Sequence, residues 1–218
     1  MEKLKAFLAG LLGELWQEII SCLIVVGINL TCRFADCLHI CTIWGVFMSI
    51  LETERLILRP FKEGDAESMY KSWTSDSRVA EYCRWYTHEN ISATEYLLKM
   101  YLDEAEKGFE YRWAITLRGK DKPIGCIDIV DTEEMELGYV ISYDCWNKGL
   151  MTEAVKAVID ELFRMGFDRI TARHAVDNPA SGRVMEKCGM KYIKNDTTNR
   201  KFGSDELCEV KCYEIKRS

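Results

Sequence analysis

Proline occurs only 3 times in 218 residues, which excludes a proline-rich linker protein. Basic residues are in deficit, 29 Lys and Arg against 35 Asp and Glu. The net charge of -6 removes the electrostatic footprint of a nucleic-acid-binding domain. A negative surface instead favours cationic partners such as amines. Long apolar runs are missing too. The longest uncharged stretches, residues 19–32 and 37–51, fall short of the roughly 18 residues that a spanning helix needs. Internal repeats and low-complexity tracts are absent.

What is present is the composition of an ordinary globular protein, 48% hydrophobic and 29% charged. The length suits one domain plus an extension, with a core that needs no disulfide staples. There are 10 cysteines, most of them inside apolar runs such as GCIDIV and EKCGM. A cysteine there reads as a small buried hydrophobe, and the expected compartment is reducing and cytoplasmic. Cys32, Cys37 and Cys41, with His39 between, form the only metal-like group, and their spacing matches no common zinc pattern. No metal site is expected.

Residues 1–47 differ from the rest. They are strongly apolar, and Glu14 and Glu18 interrupt the first run, which spoils a secretory signal. Three readings stay open for this helical, hydrophobic extension. It packs on the domain or on a partner, it lies in a membrane interface, or it is an upstream extension with Met48 as the natural start. Residues 48–218 form the second unit, a mixed α/β domain. Residues 55–60 alternate as a half-buried strand, residues 65–73 read as a short helix, and Ser92 opens a longer helix that Gly108 stops. Residues 111–117, 124–130 and 135–141 read as an antiparallel meander. A helix follows at 150–165, with its apolar stripe at 151, 154, 155, 158, 159, 162 and 163. Strand 169–175, helix 180–188 and strands 191–194 and 209–215 complete the domain.

The break at Asn147-Lys148-Gly149 joins a strand directly to the long helix. The first amides of a helix lack helical acceptors, and with the macrodipole they make an anion site. Gly149 permits close approach of a ligand. Thr152 adds a hydroxyl and Lys148 a charge. About thirty residues on come Asn178, Ser181 and Gly189.

The stretches LETERLILRPFKEGDAE, PIGCIDI, MELGYVI, WNKGLMTEAVKAVIDELF and DNPASGRVMEKCGMKY stand in this order along residues 48–218. Together they resemble the GNAT N-acetyltransferases, in the RimJ/RimL-like ribosomal-protein branch. The resemblance implies the GNAT fold, a mixed and mostly antiparallel sheet flanked by helices. It implies acetyl-CoA as the acetyl donor and a primary amine, from a protein N-terminus or a small molecule, as the acceptor. Backbone amides of Trp146, Asn147, Lys148, Gly149, Leu150, Met151 and Thr152 would hold the pyrophosphate. Amides near Val140 and Ile141 would bind the pantetheine arm and polarise the thioester, and Asn178 would bond the arm or the adjacent turn. A homodimer is common among such relatives.

Two departures stand out. Trp146 and Met151 replace the polar first and small last residues of the usual phosphate motif. Met185 stands where many relatives carry a general-acid tyrosine. The resemblance puts Ser181 where relatives of this branch carry a serine near the CoA sulfur, which makes it the candidate proton donor, and Glu136 where relatives carry a carboxylate facing the acceptor cleft, which makes it the candidate base. His174 reads as a strand histidine, His88 as loop surface and Cys145 as incidental. Trp73, Tyr82, Trp85 and Tyr86 are candidates for the acceptor pocket. Met185 also keeps an alternative open, a catalytically inactive acyl-CoA-binding regulatory protein on the same fold. If residues 48–218 are self-sufficient, a chain beginning at Met48 stays soluble and gives a cooperative thermal transition by circular dichroism. An insoluble product, with the full chain well behaved, contradicts that division.

Overall fold

Strand alternation sorts the side chains of one sheet onto two faces, and each face collects its own helices. A computed structural model describes residues 49–108 and 111–217. The N-terminal extension and its Cys32, Cys37, Cys41 and His39 lie outside the described residues, which fall in the compact unit Phe47–Ser218. The strands are β1 (Leu51–Glu52), β2 (Leu56–Arg59), β3 (Arg112–Leu117), β4 (Pro123–Asp131), β5 (Glu136–Ile141), β6 (Arg169–Ala175), β7 (Lys191–Asn199) and β8 (Leu207–Lys216). The helices are α1 (Ala66–Met69), α2 (Ser77–Ala80), α3 (Ile91–Glu106), α4 (Leu150–Arg164) and α5 (Pro179–Lys187). The sheet order is β1-β2-β3-β4-β5-β6-β8-β7. Every pair is antiparallel except β5 with β6. The expected GNAT fold, a mixed and mostly antiparallel sheet flanked by helices, is present.

On one face Trp113, Ile115, Ile127, Ile129 and Leu137 meet Ala154, Val155, Val158 and Leu162 of α4, with Met185 of α5. Val155, Val158 and Leu162 are fully buried, and each contributes roughly 1.5–3 kcal/mol by leaving water. On the other face Ala114 and Cys126 meet Phe61, Met69, Trp73, Val79 and Leu98. The Arg59 guanidinium holds Asp65 with two bonds of 2.8 and 2.9 Å and reaches Asp121 at 2.7 Å. This ties β2 to α1 and to the β3–β4 turn. Among the described residues no helix is long and apolar enough to cross a membrane.

The structure revises several expected boundaries. The helix at 65–73 is split, with α1 followed by a wider π turn, Tyr70–Thr74. The cap of α3 is Asn90, whose Oδ1 accepts the Ala93 amide, rather than Ser92. Strand β7 runs to Asn199, well past the residue 194 read from sequence, because its polar NDTTN stretch has no apolar alternation to read. It is nevertheless paired along its length with β8.

Gly125 permits the close approach of β4 to β5. A Cβ there would lie 2.4 Å from the Val140 carbonyl oxygen and 3.0 Å from the Ile141 Cα. Gly125→Ala forces these backbones apart and is expected to destabilise the fold by about 1–3 kcal/mol. Thermal denaturation reads this as a drop of roughly 2–4 °C per kcal/mol. An unchanged melting temperature contradicts the close approach.

Candidate active site

Among the described residues the one parallel pairing is also the shortest. Strands β5 and β6 share a single ladder position, Glu136 opposite Thr171, where the Thr171 amide donates to the Met135 carbonyl at 3.0 Å. Beyond it the strands part. On the far side of β5 the Ser142 amide donates to Ile124 at 2.8 Å. Main-chain groups alternate along a strand, so positions 138 and 140 turn toward β4 while 137, 139 and 141 turn toward the gap. Of the two amides named from sequence, Ile141 therefore faces the gap and Val140 faces β4. Tyr139 faces the gap as well, and the sequence reading did not single it out. The Ile141 carbonyl is taken by the Trp146 indole N–H at 3.0 Å.

The open end of the gap meets the start of α4. Asn147 (φ 57) and Gly149 (φ 73) both adopt left-handed backbone, and Gly149 does so at the helix cap. Here the absence of a Cβ matters, because such a turn costs other L-residues roughly 1–2 kcal/mol. The first helical bond runs from Glu153 N–H to the Gly149 carbonyl at 3.1 Å. The amides of Leu150, Met151 and Thr152 are thus without intrahelical acceptors. Side chains of Leu150 and Met151 are buried in the core, so only their backbone is offered to a ligand.

Residues missed by the sequence reading hold this turn in place. The Arg55 amide and Nε donate to Glu153 at 2.8 and 2.7 Å, its Nη1 donates to the Lys148 carbonyl at 2.9 Å, and the Thr53 hydroxyl donates to Glu153 at 2.6 Å. These bonds hold the Glu153 carboxyl below its ordinary range against the opposing effect of burial.

The second cluster lies where α5 faces β5. The Ser181 and Tyr139 hydroxyls are 2.7 Å apart, and Tyr139 also donates to the Ser181 carbonyl at 2.9 Å. Burial raises the Tyr139 phenol well above its usual value, so it stays a neutral hydroxyl. Asn178 caps α5, its Oδ1 accepting the Ser181 amide at 3.3 Å. Met185 is buried in the core. Cys145 is half-buried, and burial raises its thiol, which makes it a poor nucleophile.

Glu136 is not a loose strand-end carboxylate. Arg173 holds both its oxygens, Nε at 2.7 Å and Nη2 at 2.5 Å. His174 is buried, its Nδ1 donates to the Ala175 carbonyl at 2.8 Å, and its Nε2 packs on Gly182 with no hydrogen-bond partner. His88, expected at the loop surface, is half-buried with Nδ1 2.8 Å from the Thr94 hydroxyl, and burial lowers its pKa.

Gly149, Tyr139, Ser181, Asn178, Glu136 and His174 line one cleft of about 1590 Å³ that runs from the α4 turn to the segment after α2. Tyr82 and Trp85 line it with Trp73, whose ring is mostly core, while Tyr86 is an exposed surface residue. Lys201, in the β7–β8 turn, reaches across to the carbonyls of Ala80, Glu81, Cys83 and Trp85 at 2.5–3.4 Å. It straps that turn over the segment.

Comparison with known proteins gives the same picture. The model of the acetyltransferase (GNAT) domain matches residues 55–191. The chain is 33% identical over 150 residues to the uncharacterized N-acetyltransferase YoaA of Bacillus subtilis (strain 168), covering 64% of this chain and 81% of that one. A GNAT-family acetyltransferase structure from Bacillus anthracis matches with a TM-score of 0.65 at 26% identity, over 77% of this chain and 98% of its own. Spermidine N-acetyltransferase from Vibrio cholerae, solved with CoA and spermine, matches with a TM-score of 0.61 over 75% of this chain and 96% of its own, and at 19% identity that likeness shows the fold. On the family match along most of the folded unit, the chain belongs to the GNAT acetyltransferases and is an acyltransferase enzyme.

Proposed function

We propose that the protein transfers the acetyl group of acetyl-CoA to a primary amine by direct attack, as a member of the RimJ/RimL-like branch. The observation that carries the reading is the gap between β5 and β6, where the Tyr139 and Ile141 amides face the same cleft as the first turn of α4, whose amides lack helical acceptors. A diphosphate at Leu150, Met151 and Thr152 meets three N–H groups and the positive end of the helix dipole. An extended pantetheine arm then lies along Tyr139 and Ile141 as a substitute strand. The amides facing the gap polarise the thioester carbonyl where charge develops in the transition state. The Vibrio cholerae neighbour, with CoA and spermine, supports both the donor and a cationic acceptor.

The hydroxyl pair supplies the remaining proton. The Tyr139 phenol gives its one proton to the Ser181 carbonyl, which leaves the Ser181 hydroxyl as the member of this pair with a proton to donate to the leaving sulfur. Thus Ser181, rather than Met185, meets the chemical need for an acid. Glu136, fixed by Arg173, sits on the cleft wall as an anion that attracts and orients an ammonium. A reducing, cytoplasmic setting accords with the six free thiols among the described residues.

Isothermal calorimetry with acetyl-CoA and a thiol-release assay over polyamines, peptide N-termini and aminoglycosides test this reading. Gly149→Val is expected to weaken acetyl-CoA binding roughly tenfold, because a β-branched residue resists left-handed backbone. Ser181→Ala is expected to lower kcat by ~10²-fold with donor affinity unchanged. Heat of binding with no thiol release from any amine supports the regulatory alternative instead. No heat at all sinks both.

A further inference from the structure

We propose that Asp128, not Glu136, is the group that accepts the proton of the incoming amine. The inference rests on the direct-transfer reading above. Asp128 lies in β4 directly opposite Gly138 of β5, on the same sheet face as Cys126 and Val140, and it lines the cleft. Gly138 keeps that face open. A Cβ there would meet Asp128 Oδ1 at 3.1 Å and Val130 Cγ1 at 2.7 Å. The carboxylate is 18% exposed, enough to meet a ligand in the cleft and too little for full hydration.

The two carboxylates of this wall differ in how they are held. Glu136 is gripped at both oxygens by Arg173. Asp128 meets Arg112 Nε with one oxygen at 3.3 Å. Arg112 is itself drawn toward Glu104, at 2.6 Å, and its guanidinium lies 3.8 Å over the Tyr101 ring. The charged and titratable groups facing Asp128 are Arg112 of β3, Glu104 and Tyr101 of α3, and Cys126 of β4. Burial raises the Asp128 carboxyl, Arg112 partly offsets it, and Glu104 adds to the rise. A carboxylate held by one long bond keeps lone pairs free for an ammonium, whereas both oxygens of Glu136 are already taken by Arg173.

The chemistry balances as follows. An ammonium acceptor gives one N–H proton to the Asp128 carboxylate. The freed lone pair forms the N–C bond to the thioester carbon, and the C–S bond breaks. The sulfur takes the Ser181 hydroxyl proton, and the second amine proton replaces it through solvent. Asp128 then returns its proton to water.

The test measures thiol release by the full chain with acetyl-CoA and the panel amine that the wild type turns over best, from pH 6 to 9. Asp128→Asn is expected to lower kcat by ~10²-fold or more and to flatten the rise of kcat/KM with pH, with acetyl-CoA affinity by calorimetry unchanged. Glu136→Gln is expected to raise KM for the amine and to keep that rise. Arg112→Gln removes the offsetting positive charge and is expected to move the midpoint of the rise to higher pH. An Asp128→Asn enzyme with the wild-type pH profile overturns the proposal, and so does loss of the rise in Glu136→Gln alone. If Asp128→Asn fails to fold by circular dichroism, an unmoved midpoint in Arg112→Gln overturns it. Wild-type protein that binds acetyl-CoA yet acetylates no amine overturns direct transfer itself, and the role of Asp128 with it.

Discussion

The site depends on a parallel strand pair that makes one rung and stops. A continuous ladder between β5 and β6 would satisfy every backbone group and leave nothing for a ligand. Here the rung at Glu136 and Thr171 closes one end, while the amides of Tyr139 and Ile141 turn toward the gap. Side chains fix the width of the opening. The Arg173–Glu136 pair ties the strands together at the closed end. Tyr139 reaches α5 through Ser181, and Trp146 takes the Ile141 carbonyl. The same residues that shape the gap thus also place a hydroxyl pair and an ion pair on it.

A helix N-terminus is useful to a ligand only if it is held still. Glu153, in the first turn of α4, accepts from Thr53 and Arg55, and Arg55 also grips the Lys148 carbonyl. The link joins the turn before the long helix to the start of β2, far away in sequence. The core stripe of α4 fixes the other side through Val155, Val158 and Leu162. Charge pairs at the tip and apolar burial along the body act on one rigid element. The geometry of this turn is then set by the fold itself.

Much of this was legible in the sequence, and the limits have physical causes. The apolar stripe of α4 and the alternation of Trp113 and Ile115 are periodic, so they identify a helix and a strand. Gly149 and the strand–helix break mark the left-handed cap of α4 because backbone requirements are local. Strand β7 is polar and exposed, so no alternation reveals its length. Partnerships across the fold leave no local trace at all. Nothing near Glu136 announces that Arg173, on another strand, will hold both its oxygens, and nothing near Ser181 announces Tyr139. Asp128 sits in an apolar run, and its partner Arg112, with Glu104 beyond it, lies on other elements. Lys201 belongs to a turn whose four carbonyl partners lie in the segment after α2.

The central claim is that unpaired amides on β5 and at the start of α4 bind the donor. Amide hydrogen exchange resolved by residue tests it most directly, comparing the free protein with the protein saturated with acetyl-CoA. The account predicts marked protection at Tyr139, Ile141, Leu150, Met151 and Thr152, with the amide of Val140, turned toward β4, little changed. Equal exchange at the gap-facing amides with and without the thioester contradicts it.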